Sequence, residues 1–318
     1  MELRKKPVFV TGAAGFIGSH LVEKLLLFNN FVKAYDNFDD FYGGKEPNIK
    51  RCLENPRFEV CKSDILDFEQ LSKSMVDAEV VFHLAAQPGV GFSVKNPWKT
   101  NTTNVSGTLN VLLAAAKNKV RKVVFASSSS VYGIPKHLPC SEDEPTLPLS
   151  VYGASKLAGE NYCLAFFRNL GLPVVILRYH TVYGPRQRPD MAIHKFTKAM
   201  LEGQSPIVYG DGEQTRDFTY VSDAVDGTIL AAENEEDAGQ VFNIGSGSNV
   251  TVNEVIALLG KILGKGSVSP VYQDKKPDDM PHTYADIRKA RDLLGYSPKT
   301  SFERGLENFV RWFKNTPH

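Results

Sequence analysis

The sequence predicts an α/β protein with a doubly wound parallel sheet, on three observations. β-branched apolar runs alternate with longer amphipathic stretches through the first half of the chain, which is the pattern of repeated strand–helix–strand units. The apolar runs are continuous, as expected for strands covered by helices on both faces. A glycine-rich turn separates the first apolar run from the first helix-compatible stretch.

The individual elements follow from apolar periodicity and from the glycines and prolines between them. Short buried runs predict strands at Pro7–Thr11, Phe31–Tyr35, Phe58–Cys61, Val80–Leu84, Val123–Ala126 and Val174–Leu177. Helical spacing predicts helices at Ile17–Phe28, Asn104–Lys117, Ala154–Arg168, Ile193–Leu201, Ala224–Glu233, Val252–Leu263 and Phe302–Phe313. Glycines and prolines become frequent after about Tyr179. This change predicts a smaller, interleaved α/β C-terminal lobe, with a boundary between residues 1–178 and 179–318.

Composition excludes several classes of protein. The chain has 318 residues, 42% of them hydrophobic and 23% charged, which is typical of one or two globular domains. Its net charge of +1 lacks the basic surplus of a general nucleic-acid or membrane binder. No apolar run approaches the ~18 residues of a membrane span, and the N-terminal residues lack a signal-peptide apolar region. The 4 cysteines show neither disulfide nor metal-site spacing, so we expect a cytoplasmic protein without a metal.

The glycine-rich turn predicts a dinucleotide site. Gly12, Gly15 and Gly18 stand between the first strand and the first helix, where glycines allow the backbone to approach a pyrophosphate at a helix N-terminus. Asp36 ends the second strand about 20 residues later, where a carboxylate holds the ribose hydroxyls. Because this carboxylate would repel a 2′-phosphate, the pattern favours NAD over NADP in a Rossmann-type domain.

A Tyr-x-x-x-Lys pair places a phenol and an ammonium on one helix face. The ammonium would stabilise phenolate and lower the pKa of the phenol from ~10. Two of the three matches in the chain are broken by glycine or proline, namely Tyr132/Lys136 and Tyr272/Lys276. Only Tyr152/Lys156 opens a helix-compatible stretch. A serine run, 127–130, directly follows the predicted strand Val123–Ala126, at the sheet edge where α/β proteins bind ligands.

Segments along almost the whole chain carry a family resemblance. They read TGAAGFIGSHL, AYDNF, SDILD, VFHLAAQ, FASSSSVYG, YGASK, LRYHTVYGPRQRPDMA, GDGEQTRDFTYVSD, VFNIGSG and YADIRKARDLLGYSP. In this order they resemble the extended short-chain dehydrogenase/reductase family, and within it the NAD-dependent nucleotide-sugar epimerases and dehydratases. The resemblance implies NAD in the N-terminal domain, 1–178, and a nucleotide-diphosphate sugar in the C-terminal lobe, 179–318.

The resemblance also implies roles for individual residues. The implied cofactor-binding residues are Gly12, Gly15, Phe16, Ile17, Gly18, Asp36, Asn37, Asp64, Ile65, Leu84, Ala85, Ala86, Tyr152 and Lys156. Tyr152 would be the base, Lys156 its partner, and Ser128 the hydroxyl on the reacting oxygen. The implied substrate-binding residues are Ser128, Ser129, Ser130, Thr181, Arg188, Tyr209, Arg216 and Asp279. Lys276 departs from the arginine that relatives often have, which leaves a nucleotide contact there open.

The serine run also indicates the reaction. Dehydratases of this family carry an Asp-Glu pair where this chain has Ser129 and Ser130, and related decarboxylases place Glu at the second position. Without these carboxylates the acid–base groups for elimination are missing. The sequence therefore favours epimerisation at the sugar C4 through a transient 4-keto intermediate, with NAD regenerated in each cycle.

The loop 186–192 is most similar to the corresponding loop of UDP-glucuronate 4-epimerases. Thr181 and Thr283 also match these enzymes, whereas Gly91 stands where they commonly have Arg. Arg188 could pair with the C6 carboxylate of a uronate in bidentate fashion. It could equally lie in a solvated loop or contact nucleotide phosphates. A UDP-glucose/UDP-galactose or N-acetylhexosamine 4-epimerase, and a catalytically silent NAD-binding regulator, therefore stay open as alternatives. The family further implies a homodimer through helices in the Thr100–Lys117 and Tyr152–Arg168 regions.

Overall fold

A computed structural model describes residues 2–43, 45–266, 268–275 and 280–316. Its main sheet has seven strands in the order β11-β6-β5-β4-β1-β2-β3, and all neighbours are parallel. These strands are β1 (Pro7–Thr11), β2 (Phe31–Asp36), β3 (Phe58–Lys62), β4 (Val80–His83), β5 (Lys122–Ser128), β6 (Val174–Tyr179) and β11 (Val241–Ile244).

Three two-stranded sheets lie outside the main sheet: β7 with β10, β9 with β12, and β8 with β13. Their strands are β7 (Val182–Tyr183), β8 (Ile207–Tyr209), β9 (Thr215–Arg216), β10 (Thr219–Tyr220), β12 (Val250–Thr251) and β13 (Val271–Gln273). The β9–β12 pair is antiparallel, whereas the other two pairs are parallel.

Helices connect and cover the strands. The first six are α1 (Phe16–Leu27), α2 (Lys45–Ile49), α3 (Phe68–Ser74), α4 (Val90–Lys95), α5 (Pro97–Asn101) and α6 (Gly107–Lys117). The later ones are α7 (Val151–Leu170), α8 (Ala192–Leu201), α9 (Val221–Glu233), α10 (Val252–Leu263), α11 (Arg288–Leu294) and α12 (Phe302–Lys314). Single turns of 3₁₀-helix occupy Lys50–Cys52 and Ser129–Val131, and a π-helical turn, Thr102–Ser106, precedes α6. No helix among the described residues has both the length and the apolarity of a membrane span.

Successive residues of the central strands supply two apolar layers, one on each face of the sheet. Val8 and Val10 point to the layer with α1 and α9, whereas Phe9 points to the layer with α3, α6 and α7. A third cluster joins α8, α10 and α12 in the C-terminal lobe and includes Phe196 and Phe309. The sheet is thus covered on both faces, as the continuous apolar runs predict.

The predicted strands and long helices are confirmed to within a few residues at each end. Pro7–Thr11 and Val252–Leu263 have the predicted bounds. The sequence analysis missed the short helices α2 to α5 and α11, the strand β11 and the two-stranded pairs, because each is too short to show apolar periodicity. The predicted helix Asn104–Lys117 begins in the π-helical turn. All four cysteines have free thiols.

The two lobes are interleaved along the chain. After β6 the chain enters the small sheets, and then α9 and β11 return to the main sheet beside β6. The predicted boundary at residue 178 coincides with the carboxyl end of β6. The boundary between the two lobes stays a prediction. Because the chain beyond residue 178 supplies β11 to the main sheet, no single residue separates the lobes.

A buried ion pair joins three elements beneath the carboxyl edge of the sheet. Arg178 of β6 donates from Nε and Nη2 to Glu160 of α7, with Nη2–Oε2 at 2.7 Å, and both side chains are less than one-tenth exposed. Glu160 Oε1 also accepts a hydrogen bond from Ser127 Oγ at 2.5 Å. Burial opposes the charge of Arg178, but its hydrogen bonds to Glu160 raise its pKa above the ordinary value. The pair therefore fixes β5, β6 and α7 relative to one another.

We expect Glu160→Gln to destabilise the protein by about 3–5 kcal/mol, because it leaves the buried Arg178 charge without a counter-charge. The measurement is the free energy of unfolding in urea. Glu307→Gln is the matched control, because its partner Arg304 is 63% exposed and exposed pairs contribute at most about 1 kcal/mol. Equal destabilisation by the two variants would contradict the assignment.

Candidate active site

A cavity of about 480 Å³ opens at the carboxyl ends of the parallel strands. It lies where the strand order reverses, because β1 is flanked by β2 on one side and β4 on the other; this is the usual ligand position in doubly wound sheets. All fourteen predicted cofactor-binding residues line it, namely Gly12, Gly15, Phe16, Ile17, Gly18, Asp36, Asn37, Asp64, Ile65, Leu84, Ala85, Ala86, Tyr152 and Lys156. The sequence therefore brings these residues to one place.

The glycine loop has no room for side chains. Gly12 has φ +68°, and a Cβ there would lie 2.6 Å from the backbone nitrogen of Ala85. A Cβ on Gly18 would lie 2.1 Å from the carbonyl oxygen of Gly12. The loop thus packs backbone against backbone and opens α1, whose first turn has no acidic residue. A positively polarised helix N-terminus at a cavity fits a pyrophosphate.

Asp36 supports the loop from the end of β2. Its carboxylate accepts hydrogen bonds from the backbone nitrogens of Ala14 at 2.9 Å and Phe38 at 2.8 Å. Burial raises the pKa of this carboxyl, whereas the two backbone donors lower it. Asn37 donates to Asp64 at 2.7 Å across to the end of β3. The acidic and amide groups predicted for the adenosine therefore form one wall of the cavity.

Helix α7 delivers the Tyr-Lys pair. Its N-cap Ser150 accepts from the backbone nitrogen of Gly153, and a Cβ on Gly153 would lie 2.5 Å from the carbonyl oxygen of Ser130. This contact seats the first turn of α7 on the serine turn after β5, which places the Ser128 hydroxyl beside the Tyr152 phenol. Lys156, one turn later, donates from Nζ to the carbonyl oxygen of Ala126 at 2.8 Å.

The protonation states of the pair follow from burial and neighbouring charges. Burial raises the pKa of the Tyr152 phenol, while the Arg188 charge and the hydrogen bond with Ser128 act against that rise. Burial lowers the pKa of Lys156 to about 8. The pKa of the phenol is raised overall, and a further positive charge in the cavity would lower it and favour the phenolate, which can act as a base.

Arg188 is the cation that faces Tyr152. It lines the cavity with a side chain 19% exposed, and it pairs with Asp190 through Nε–Oδ1 at 2.9 Å and Nη2–Oδ2 at 3.0 Å. Burial opposes its charge, but the hydrogen bonds to Asp190 keep its pKa above the ordinary value. The structure therefore places a permanent positive charge beside the phenol.

The remaining predicted substrate residues lie around this centre or in the second lobe. Ser129 and Ser130 form the 3₁₀ turn after β5, and Ser128 Oγ donates to Ser130 Oγ at 3.1 Å. Thr181 precedes β7, and its carbonyl oxygen accepts from the Thr219 nitrogen. Predicted positions that do not line the cavity within the described part of the chain are Ser128, Ser129, Ser130, Thr181, Tyr209 and Arg216. Asp279 and Lys276 lie outside the described residues.

Arg216 and Tyr209 belong to the small sheets. Arg216 donates to the carbonyl oxygen of Thr215 at 2.8 Å and to that of Pro281 at 3.4 Å. The adjacent Asp217 is fully buried and accepts hydrogen bonds from the backbone nitrogens of Ser246, Gly247 and Ala285. Asp217 thereby fixes the segment that carries Arg216 to two distant parts of the chain.

Sequence reasoning missed Tyr42, which lines the cavity, and Asn104, which supports the lining residue Gln87. Tyr42, in a stretch read as a polar connection, accepts from the Phe16 nitrogen at 3.2 Å through its phenol oxygen, and burial raises the pKa of Tyr42 to about 12. Asn104, in the π-helical turn, accepts from the Gln87 nitrogen at 2.7 Å and donates to Ser155. Two aromatic residues within a polar connection were the available signal for Tyr42; Asn104 offered none.

The model of the NAD dependent epimerase/dehydratase family matches residues 8–245. The UDP-glucuronic acid 4-epimerase of Bacillus cereus, solved with UDP-glucuronic acid and NAD, is 42% identical, with a TM-score of 0.92 over 97% of this chain and 99% of that one. The UDP-glucose 4-epimerase of Thermotoga maritima, solved with UDP-glucose, is 38% identical, with a TM-score of 0.90 over 97% and 99%. UDP-glucuronate 4-epimerase 4 of Arabidopsis thaliana is 38% identical over 96% of this chain and 75% of its own.

These likenesses confirm the fold and the family that the motifs predict. The family match spans the glycine loop and the Tyr-Lys helix, which line the cavity, and the return strand β11. The chain therefore belongs to the NAD-dependent epimerase/dehydratase family of the short-chain dehydrogenase/reductase superfamily.

Proposed function

We propose that this protein is a UDP-sugar 4-epimerase, and that its substrate is UDP-glucuronate, converted reversibly to UDP-galacturonate. The observation that carries the proposal is the pair of Tyr152 and Lys156 that lines the cavity, with the Ser128 hydroxyl and the Arg188 cation beside the phenol. The similarity to the Bacillus cereus enzyme, solved with UDP-glucuronic acid and NAD, supports it.

The residues present fit NAD. The close backbone packing of Gly12 and Gly18 leaves the start of α1 open to a pyrophosphate, and Asp36 with Asn37 would hold the adenosine ribose. Asp64 and Ile65 would flank the adenine, and Leu84 to Ala86 the middle of the cofactor. When bound, NAD supplies reversible hydride acceptance at the sugar C4.

The side chains of this chain manage the proton. Tyr152 as phenolate would take the proton of the C4 hydroxyl and return it in the second half of the reaction. Ser128, whose hydroxyl lies beside the phenol, would hold the reacting oxygen in line. Lys156 uses one of its three ammonium donors on Ala126, so two remain for a ribose hydroxyl.

The serine turn favours epimerisation over elimination. Ser129 and Ser130 supply hydroxyls where a dehydratase needs carboxylates to remove water, and Ser130 is engaged with Ser128. Neither hydroxyl has the acidity to serve as a general acid at neutral pH. The sugar therefore keeps all its oxygens while its C4 configuration inverts.

The nucleotide would be held by the second lobe. We assign Arg216 to its phosphates, Tyr209 to the uracil, Thr181 to the sugar and Asp279 to the ribose, with residues 1–178 as the NAD domain and 179–318 as the sugar-nucleotide lobe. The support is that Asp217 fixes the Arg216 segment to the loop after β11, next to the carboxyl edge of the sheet.

Arg188 favours a uronate over a neutral hexose. A guanidinium beside the reacting phenol can bind a C6 carboxylate with two parallel hydrogen bonds. The alternative is a UDP-glucose/UDP-galactose or N-acetylhexosamine 4-epimerase. It is supported by the Thermotoga maritima enzyme and by a UDP-N-acetylglucosamine 4-epimerase of Methanobrevibacter ruminantium, which is 38% identical with a TM-score of 0.90.

The first test incubates the purified protein separately with UDP-glucuronate and UDP-glucose and follows the anomeric protons by NMR. We expect conversion of the uronate alone, without added NAD, because a regenerated cofactor stays bound. Tyr152→Phe should lower this rate by at least ~100-fold, whereas Tyr162→Phe, whose phenol is exposed on the same helix, should not. Conversion of UDP-glucose alone would favour the alternative, and no conversion with added NAD would reject both.

Arg188→Met tests the carboxylate contact. We expect the KM for UDP-glucuronate to rise on the order of 10- to 100-fold, since a hydrogen-bonded charge pair is lost, while the dissociation constant of UDP-glucose, measured by calorimetry, stays within about twofold. Arg291→Met is the control, because Arg291 forms an exposed pair with Asp292. Equal losses on both sugars would assign Arg188 to the nucleotide or to Tyr152 instead.

We further infer a homodimer that works in the cytoplasm. Helices α6 and α7 pack side by side, and their outer surface exposes Leu113 and Tyr162, which suits a four-helix contact between two copies. Free thiols fit a reducing compartment.

Leu113→Asp should convert the dimer to a monomer, because a carboxylate at an apolar contact has no partner there. The measurement is sedimentation, with the wild type expected at twice the chain mass of 35.2 kDa. Leu293→Asp on α11, equally apolar and 55% exposed, is the control. A wild-type monomer at micromolar concentration would reject the dimer.

A further inference from the structure

Asp190 has no role in the chemistry described above, yet it forms the closest contact of the Arg188 guanidinium. Its two carboxylate oxygens accept from Nε at 2.9 Å and from Nη2 at 3.0 Å. The Asp190 side chain is 39% exposed. A pair of this geometry holds the planar guanidinium in one orientation, since two parallel hydrogen bonds fix both its direction and its rotation.

The Asp190 contact occupies the Nε/Nη2 edge of the guanidinium and leaves the Nη1/Nη2 edge open to a ligand. An arginine has five N–H donors in a planar fork, and neither bond to Asp190 involves Nη1. The Nη1/Nη2 edge, which is the end of the fork, therefore stays available for a second carboxylate. Because Arg188 lines the cavity beside Tyr152, that carboxylate would belong to a ligand in the cavity.

The backbone around the pair is held independently of it. Arg186, in the same loop, donates to Glu23 of α1 at 2.6 Å and to the carbonyl oxygen of Asn48 at 3.3 Å. His20 of α1 contacts the carbonyl oxygen of Pro185 at 2.9 Å. With the loop fixed at these points, the Asp190 carboxylate decides where the long Arg188 side chain points.

We propose that Asp190 is a specificity-determining positioning residue, which aims the free edge of Arg188 at the C6 carboxylate of a UDP-hexuronate. The inference rests on the proposed function and deepens it. Asp190 acts through Arg188 and touches neither the sugar nor the reacting atoms. Its loss therefore affects the binding of a uronate and leaves a sugar with a neutral C6 unaffected.

The test compares wild type, Asp190→Asn and Asp292→Asn, all saturated with NAD, on UDP-glucuronate and UDP-glucose. Asp190→Asn keeps the shape and removes the charge. Asp292→Asn removes the same charge from an exposed Arg291 pair away from the cavity. The measurements are KM and kcat by NMR, with the dissociation constant of each sugar nucleotide by calorimetry.

We expect Asp190→Asn to raise the KM and the dissociation constant of UDP-glucuronate on the order of tenfold, with kcat and UDP-glucose binding within about twofold of wild type. Asp292→Asn should match wild type throughout. A merely structural role would weaken both ligands alike, and such a result overturns the inference. Tighter uronate binding by Asp190→Asn also overturns it, because Asp190 would then compete with the substrate carboxylate.

The two proposals fail in different ways. If wild type epimerises UDP-glucuronate and Asp190→Asn is indistinguishable from it, the Asp190 inference fails and the proposed function stands. If wild type epimerises neither sugar but binds UDP-glucuronate ten times more tightly than Asp190→Asn does, the function fails and the positioning role stands. Absence of uronate binding by wild type overturns both.

Discussion

The buried pair of Glu160 and Arg178 is the constraint on which the geometry of the active site depends. Ser127 and Arg178 are register partners on β5 and β6, and Glu160 of α7 contacts both side chains. Ser128 is the next residue of β5, and Lys156 lies one helical turn before Glu160. A single carboxylate thus joins β5, β6 and α7, and two of these elements, β5 and α7, carry the hydroxyl, the ammonium and the phenol of the proposed reaction.

The same frame extends into the second lobe through hydrogen bonds. Arg178 donates from Nη1 to the carbonyl oxygen of Glu142, whose side chain accepts from the nitrogen of Asn243 on β11. The phenol of Tyr132 donates to Asn243 Oδ1 at 2.8 Å. The loop that Asp217 holds begins two residues beyond Asn243. The strands β6 and β11 are therefore joined to the segment 132–142 by buried and partly buried polar contacts, which favour one defined arrangement of this edge of the sheet.

The sequence predicted what depends on local order. Strands, long helices, the glycine loop and the Tyr152/Lys156 pair follow from periodicity and spacing within one element, and the structure places all of them as expected. Tyr42 and Asn104 were missed because their function is a contact with a distant residue, Phe16 in one case and Gln87 in the other. No pattern within 38–45 or 102–106 specifies which backbone group such a side chain will meet.

Substrate selectivity was the least predictable property for a related reason. Acid–base groups at C4 serve a hexose and a hexuronate equally, so Tyr152 and Lys156 carry no information about C6. The proposed discrimination falls to the loop of Arg188, whose hydrogen bonds to Glu23 and His20 hold it to α1. Since the chemistry and the selectivity rest on separate supports, the charge that faces C6 can change without disturbing the machinery at C4. The pairing of Arg188 with Asp190 illustrates the difficulty: under the proposed role, selectivity depends on the orientation of a guanidinium, which residue identity alone does not specify.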